Sequence, residues 1–241
     1  MSRVVTILQA RMGSERLPGK SLRLMAGKPM VLWCLERLTM MRRSDALIVA
    51  TSVLPLDDPL ADALQARGYR VFRGSESDVL DRYFQCAAKT DADIIVRSTG
   101  DNPFVDPIEA DRLIDFFARE HLDYACGSTD STSGYPLGVS VEVMSRGALE
   151  RAWREGDAPH HREHVNEYIL EHPETFPQAL LSPPPPLRAP GLSLTVDTLD
   201  DFLQAESYYR EFLATGADSL VSVEGIVQRY LNTQHRHGEA S

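Results

Sequence analysis

Four apolar or β-branched runs, each followed by a helical pattern, fill the first hundred residues, and this alternation constrains the fold most tightly. The runs lie at residues 4–10, 46–50, 69–72 and 93–97. Ala46-Leu47-Ile48-Val49-Ala50 is nearly continuous, the pattern of a strand buried on both faces. Pro29 suits a first helical position, with Val31, Leu32, Leu35 and Leu38 on one face. Asp57 or Asp58 caps a second helix that Gly68 ends, and residues 78–89 carry Val79, Leu80, Tyr83, Phe84 and Ala87 at helical spacing. Such alternation predicts the α/β class, with a Rossmann-like, mixed and mostly parallel sheet. Right-handed crossovers put the loops after the first and fourth strands on the same, ligand-binding edge.

The second half is less regular. Pro107 opens a helix with Leu113, Ile114, Phe116 and Phe117, and Tyr124-Ala125-Cys126 reads as a short strand before a polar loop at 127–133. Val139, Val141 and Val143 alternate with polar positions as in a half-buried strand, with Glu142 on the opposite face. Helices are expected at 148–154, 162–171, 200–213 and 222–231, and a strand at 192–196. Pro183 to Pro186 form a stiff excursion inside one domain. The expected organisation is a single domain, residues 1–233, with a frayed tail at 234–241.

A net charge of −10 argues against a broad nucleic-acid surface, so an anionic ligand needs a local cationic pocket. No apolar run is long enough to span a membrane, and no basic, hydrophobic leader precedes the first strand. Cys34, Cys86 and Cys126 are widely spaced and form no CxxC pair, as expected of buried thiols in a reducing cytoplasm.

The loop leaving the first strand supplies such a pocket. Ala10, Arg11, Met12, Gly13, Ser14, Glu15, Arg16, Leu17, Pro18, Gly19 and Lys20 combine two glycines, three cations and a serine. Only three of the 25 cationic residues are lysines, and Lys20 and Lys28 fall in or just after this loop. A lysine is a point charge for a phosphate oxygen, whereas Arg11 and Arg16 can fork two. Neither the GxxxxGK[ST] nor the GxGxxG pattern is present. Asp101 and Asp197 each follow a strand-like run. They suit either helix capping or a divalent cation, since Mg²⁺ takes one or two Asp ligands plus substrate phosphates. His160 and His164 have a zinc-capable spacing, yet HHREH is not HExxH and no third ligand is evident.

Ile7 through Lys20 closely resembles the opening motif of the cytidylyltransferase family that includes spore coat polysaccharide biosynthesis protein F. That family is related to the synthetases of CMP-activated sugar acids. Further matches are Phe72-Arg73-Gly74-Ser75, Val79-Leu80-Asp81-Arg82-Tyr83, Thr99-Gly100-Asp101-Asn102-Pro103, Val141-Glu142-Val143, Arg162-Glu163-His164-Val165 and Thr195-Val196-Asp197-Thr198. The resemblance implies a nucleotide-diphospho-sugar transferase fold and transfer of CMP from CTP to an acceptor oxygen, with release of pyrophosphate. It implies that Ala10, Arg11, Gly13, Ser14, Arg16 and Lys20 hold the triphosphate, and that Asp101 and Asp197 hold Mg²⁺. By the same resemblance Arg73, Ser75 and the segment to Arg82 enclose the nucleotide, while Glu142, Arg162 and His164 face the acceptor. A homodimer is compatible with it.

Three positions depart from the family pattern. Glu15 stands where Thr is frequent, and Asn102 where Cys is frequent. Pro136 to Glu142 replaces Asp-Gly-x-Asp-Val-Glu, which removes two carboxylates and keeps Glu142. The acceptor therefore stays open between a sugar acid and a smaller hydroxy-acid or phosphonate. A different base, a nucleotide-sugar-consuming transferase and a non-catalytic nucleotide-binding protein are the other readings.

Overall fold

The computed structural model describes residues 2–127, 134–216 and 221–238. A seven-stranded sheet forms its centre. Strand β1 (Val4–Gln9) lies between β4 (Ala46–Ser52) and β6 (Ile94–Thr99), parallel to both, and β5 (Arg70–Gly74) extends the sheet beyond β4. On the other side β8 (Glu142–Ser145) runs antiparallel to β6 and to β7 (Tyr124–Cys126), and β9 (Gln178–Leu180) runs parallel to β7. A two-stranded hairpin, β2 (Leu24–Met25) and β3 (Lys28–Pro29), stands apart. The expected mixed, mostly parallel α/β sheet is the one found.

The pleat explains why the central strands read as unbroken apolar runs. Leu8, Val49 and Val96 join one core cluster, together with residues of α1 (Met30–Leu38), α2 (Asp58–Gln65) and α4 (Pro107–Arg119). Their neighbours Ile7, Ile48 and Ile95 enter a second cluster, against α3 (Val79–Lys89), α5 (Arg146–Glu155) and α7 (Glu167–Glu171). Both faces are covered, so period-two alternation is lost. A third cluster joins the hairpin to α8 (Leu199–Ala214) and α9 (Val223–Gly238). Arg37, fully enclosed, fastens this layer by donating from Nε to the Val105 carbonyl at 2.6 Å and from Nη1 to the Val221 carbonyl at 2.9 Å.

Several expected elements differ. Pro29 closes the hairpin, and α1 starts at Met30. The alternating valines yield only the four-residue β8, because Val139 and Val141 are buried in irregular backbone. Residues 192–196 form no strand and contribute one isolated bridge, Leu137 to Ser193. The helix expected at 162–171 splits into α6 (Pro159–Glu163) and α7, separated at the extended backbone of His164. Residues 185–187 make a short 3₁₀ turn. Helix α9 continues through Gly238, past the expected start of the tail. Residues 128–133 of the polar loop fall outside the described residues. Among the described residues no helix is long and apolar enough to cross a membrane.

All three thiols are buried, and burial pushes each above its ordinary value: Cys86 and Cys126 to about 12, and Cys34 higher still. The thiolate is the reactive form, so these cysteines are inert in the folded protein. Titration with a thiol-reactive chromogen at pH 8 is expected to detect no fast-reacting thiol in the native state and all three in denaturant. A fast-reacting thiol in the native protein would contradict this burial.

Candidate active site

Strand β1 is the switch point: the chain runs from it to β4 and β5 on one side and returns to β6 on the other. A crevice opens where connections leave such a point in opposite directions. Gln9 pairs in register with Ala50 and Thr99, so the loops after β1 and β6 emerge side by side. They touch at Gly100, where an added Cβ would lie 2.9 Å from the Ala10 Cβ and 3.1 Å from the Gln9 carbonyl oxygen. Glycine is needed here for close approach rather than for its backbone angles.

The first loop is held by its own backbone and by one acid. Gly19, left-handed with φ 71°, donates to the Met12 carbonyl at 3.0 Å, and the Ser21 hydroxyl donates to the Arg11 carbonyl at 2.9 Å. Asp57 reaches across from the turn before α2. Its buried carboxylate accepts from the Met12 amide at 2.7 Å, from the Ser52 amide at 3.2 Å, and from the Ser52 hydroxyl. Its side chain makes no capping bond to α2, the role its place in the sequence suggests. The loop therefore ends rigidly at Lys20.

Lys20 is 8% exposed and sits between the two distant acids. Its Nζ donates to the Val196 carbonyl at 2.7 Å and to Asp197 Oδ1 at 3.1 Å, and lies 3.7 Å from Asp101 Oδ2. Arg16 Nη2 pairs with the other Asp197 oxygen at 2.9 Å. The Val196 amide donates to the Asp101 carbonyl at 2.8 Å, joining the two carboxylate-bearing segments through their backbones. Neither acid caps a helix: Asp106 caps α4, and Thr198 caps α8 with Asp201. Two carboxylates converging on one point repel, by about 4 kcal/mol at 4 Å with the effective dielectric of a protein surface. A cation between them removes that repulsion, and here Lys20 supplies it.

A cavity of about 360 Å³ opens over this cluster, lined among others by Ala10, Arg11, Ser14, Arg16, Lys20 and Asp101. Glu15 and Glu163 also reach it. Gly13 does not line it and backs onto Leu56. Arg73 and Ser75, expected to enclose the nucleotide, lie elsewhere. Arg73 holds the Ser52 and Leu54 carbonyls and pairs with Asp58, and the Ser75 hydroxyl accepts from the Asp78 amide. From that segment Glu76 approaches the site instead, pairing with Arg11 at 2.7 Å.

A second cavity of about 170 Å³ adjoins the first, and Arg97 and Thr99 line both. Arg97 and Glu142 face each other in the β6–β8 register and form an ion pair. Burial alone would lower the Arg97 guanidinium, but the Glu142 carboxylate beside it raises it above its ordinary value. Glu142 thus lines a cavity and spends one oxygen on Arg97. Arg162 does not face it: its guanidinium forks Asp78 at 2.6 and 2.9 Å and holds the Trp153 and Gly156 carbonyls, tying α6 to the start of α3. His164 is exposed and lines neither cavity.

The histidines that cluster are not the two of zinc-capable spacing. His160 and His161 each bond Glu171 at 2.8 Å, and His164 takes no part. His161 Nδ1 accepts from the Ala158 amide, which makes Nε2 the protonated nitrogen that donates to Glu171. That tautomer offers no Nε2 lone pair to zinc.

Residues 5–223 match the family model described as cytidylyltransferase. The chain belongs to the cytidylyltransferase family. It is 36% identical over 216 residues to spore coat polysaccharide biosynthesis protein SpsF of Bacillus subtilis, covering 88% of each chain. It is 38% identical over 200 residues to an uncharacterized protein of Methanocaldococcus jannaschii, covering 83% of this chain and 80% of that one. A cytidylyltransferase structure from Leptospira borgpetersenii superimposes with a TM-score of 0.86 at 26% identity, over 98% of this chain and 96% of that one. A CMP-2-keto-3-deoxy-manno-octonic acid synthetase structure, solved with CTP, shares the fold at a TM-score of 0.64 and 20% identity, over 90% of this chain and all of that one.

Sequence reasoning missed Asp57, Glu76 and Arg97 as site-shaping groups, because each acts through a partner 45 residues or more away. The Asp57 clamp is directly testable. Asp57→Ala strands the half-buried Met12 amide and the buried Ser52 amide and is expected to lower unfolding free energy by about 2–3 kcal/mol. Urea denaturation measures this, and amide exchange at Met12 should quicken beyond the change in global stability. Unaltered exchange there would show that the loop does not depend on Asp57.

Proposed function

We propose that this cytidylyltransferase transfers CMP from CTP to a small hydroxyl-bearing acid, a sugar acid or a related hydroxy-acid or phosphonate, and releases pyrophosphate. The observation that carries the proposal is the Lys20 ammonium seated between Asp101 and Asp197 under the cationic loop. Arg11, Arg16 and Lys20 would neutralise the phosphates and the departing pyrophosphate, and Ser14 would add a hydroxyl donor. Positioning and charge stabilisation supply most of the rate in such a reaction, and no protein nucleophile is required.

Mg²⁺ is part of this proposal. Asp101 and Asp197 already converge on one cation, Lys20, and offer the hard oxygen donors that Mg²⁺ takes. When bound there, the ion would polarise phosphate oxygens and acidify the acceptor hydroxyl. Nucleotide phosphates would draw Lys20 and Arg16 off these carboxylates, so nucleotide and metal would each favour the other's binding.

The second cavity would take the acceptor. Glu142 is its one lining carboxylate among the described residues and is held by one Arg97 nitrogen, so the rest of that guanidinium would read an acid. The relatives' names point the same way: one belongs to polysaccharide biosynthesis, and another to a synthetase that activates a sugar acid.

Incubation with each nucleoside triphosphate, Mg²⁺ and a panel of acceptors is expected to give pyrophosphate and a CMP-linked product with CTP alone. Turnover with another base instead would overturn the cytidine assignment. Release of a nucleoside diphosphate would indicate glycosyl transfer, and tight CTP binding without turnover a non-catalytic binding protein. Lys20→Ala and Asp101→Ala are each expected to lower kcat/KM by about 100-fold or more while the protein stays folded by fluorimetric melting. Equal loss of folding and activity would mark both residues as structural.

A further inference from the structure

Three hydrogen bonds, all donated in one direction, run along the wall of the second cavity to Asp101. The Thr195 hydroxyl donates to Asn102 Oδ1 at 2.9 Å, Asn102 Nδ2 donates to the Thr99 hydroxyl at 2.9 Å, and that hydroxyl donates to Asp101 Oδ1 at 2.5 Å. The carboxylate fixes the sense of the chain. An ionised Asp101 only accepts, so Thr99 must spend its proton there and can only accept from Asn102. That turns the amide nitrogen toward Thr99 and the amide oxygen toward Thr195.

Asp101 Oδ2 is left on the Lys20 side, so its two oxygens have separate duties. Gly138, with φ +86°, presses its backbone against the chain. An added Cβ there would lie 2.8 Å from Thr195 Oγ1 and 3.0 Å from Asn102 Oδ1. Thr99, Asn102, Gly138 and Thr195 all line the second cavity.

We infer that Asn102 is a positioning residue: through Thr99 it holds the Asp101 carboxylate with Oδ2 toward the cation site, and it links the wall of the second cavity to that site. The inference rests on the reading of Asp101 as a metal carboxylate. It assigns Asn102 no contact with the nucleotide and no proton transfer. A carboxylate free to rotate would present either oxygen to the cation, and the ordering loss would appear in metal affinity and kcat rather than in nucleotide binding.

The test compares Asn102→Leu, Thr195→Val and Thr195→Ser with the wild type. Asn102→Leu keeps size and shape and adds no charge beside the cation site, but removes the donor to Thr99. Thr195→Val removes the donor that orients Asn102, and Thr195→Ser keeps it. Mn²⁺ affinity in the presence of CTP, read by electron paramagnetic resonance, is expected to fall about tenfold in Asn102→Leu and several-fold in Thr195→Val. Thr195→Ser should behave as wild type. CTP affinity without metal should stay within twofold, and where turnover is measured kcat should fall while KM for CTP does not.

Wild-type Mn²⁺ affinity in both Asn102→Leu and Thr195→Val would overturn the inference. A fall in melting temperature that accounts for the lost affinity would overturn it too, by making the chain merely structural. Because metal affinity is read without an acceptor, a wild type that binds Mn²⁺ and CTP but turns over no acceptor refutes the transferase reading alone. A wild type whose Mn²⁺ affinity ignores Asp101→Ala removes the basis of both.

Discussion

The site depends on a buried ammonium held between two carboxylates that the sequence keeps far apart. Lys20 ends the loop after the first strand, Asp101 follows the fourth, and Asp197 enters on a backbone segment tied to Asp101 by a peptide hydrogen bond. Each of the three charges faces another of them. A lysine enclosed to this degree needs acceptors, and two acids aimed at one point need a cation. Each therefore supplies the reason for the others, and the fold must bring them together to satisfy any of them.

The sheet makes that meeting possible. With both faces covered by helices, a one-residue slip of a central strand would move every side chain into the opposite packed core cluster, where it does not fit. Rigid strands end level at Gln9 and Thr99, and Gly100 lets the two loops touch. Asp57 then stops the first loop from drifting. Charge is balanced locally by Arg11 with Glu76, Arg16 with Asp197, and Arg97 with Glu142, so an acidic chain can hold a cationic loop.

Strand–helix alternation made the parallel half of the sheet legible from residues alone, because unbroken apolar runs such as 46–50 have few other destinations. The antiparallel half was less so. Val139 and Val141 alternate as a strand would, yet they pack in irregular backbone, and pairing with β6 begins only at Glu142. The run 192–196 is apolar because it fills the third core cluster, not because it pairs. Lys20 could be picked out as a rare lysine in the first loop, and Asp101 and Asp197 as acids after strand-like runs, and the motif resemblance brought them together. Arg73, Ser75, Arg162 and His164 came from the same resemblance but serve loop anchoring, helix docking or the surface. A motif preserves residue types without saying which of them face the ligand.

The proposed exclusion between Lys20 and a metal ion at the paired acids offers the most direct measurement. Calorimetric titration of Mn²⁺ should show weak binding to the free protein, where Lys20 and Arg16 occupy the carboxylates. Binding should be at least about tenfold tighter with saturating CTP, beyond what CTP itself contributes in solution, and Asp197→Ala should abolish the gain. Equal Mn²⁺ affinity with and without CTP, or a gain that survives Asp197→Ala, would show that the ammonium, the two acids and the nucleotide do not share one site.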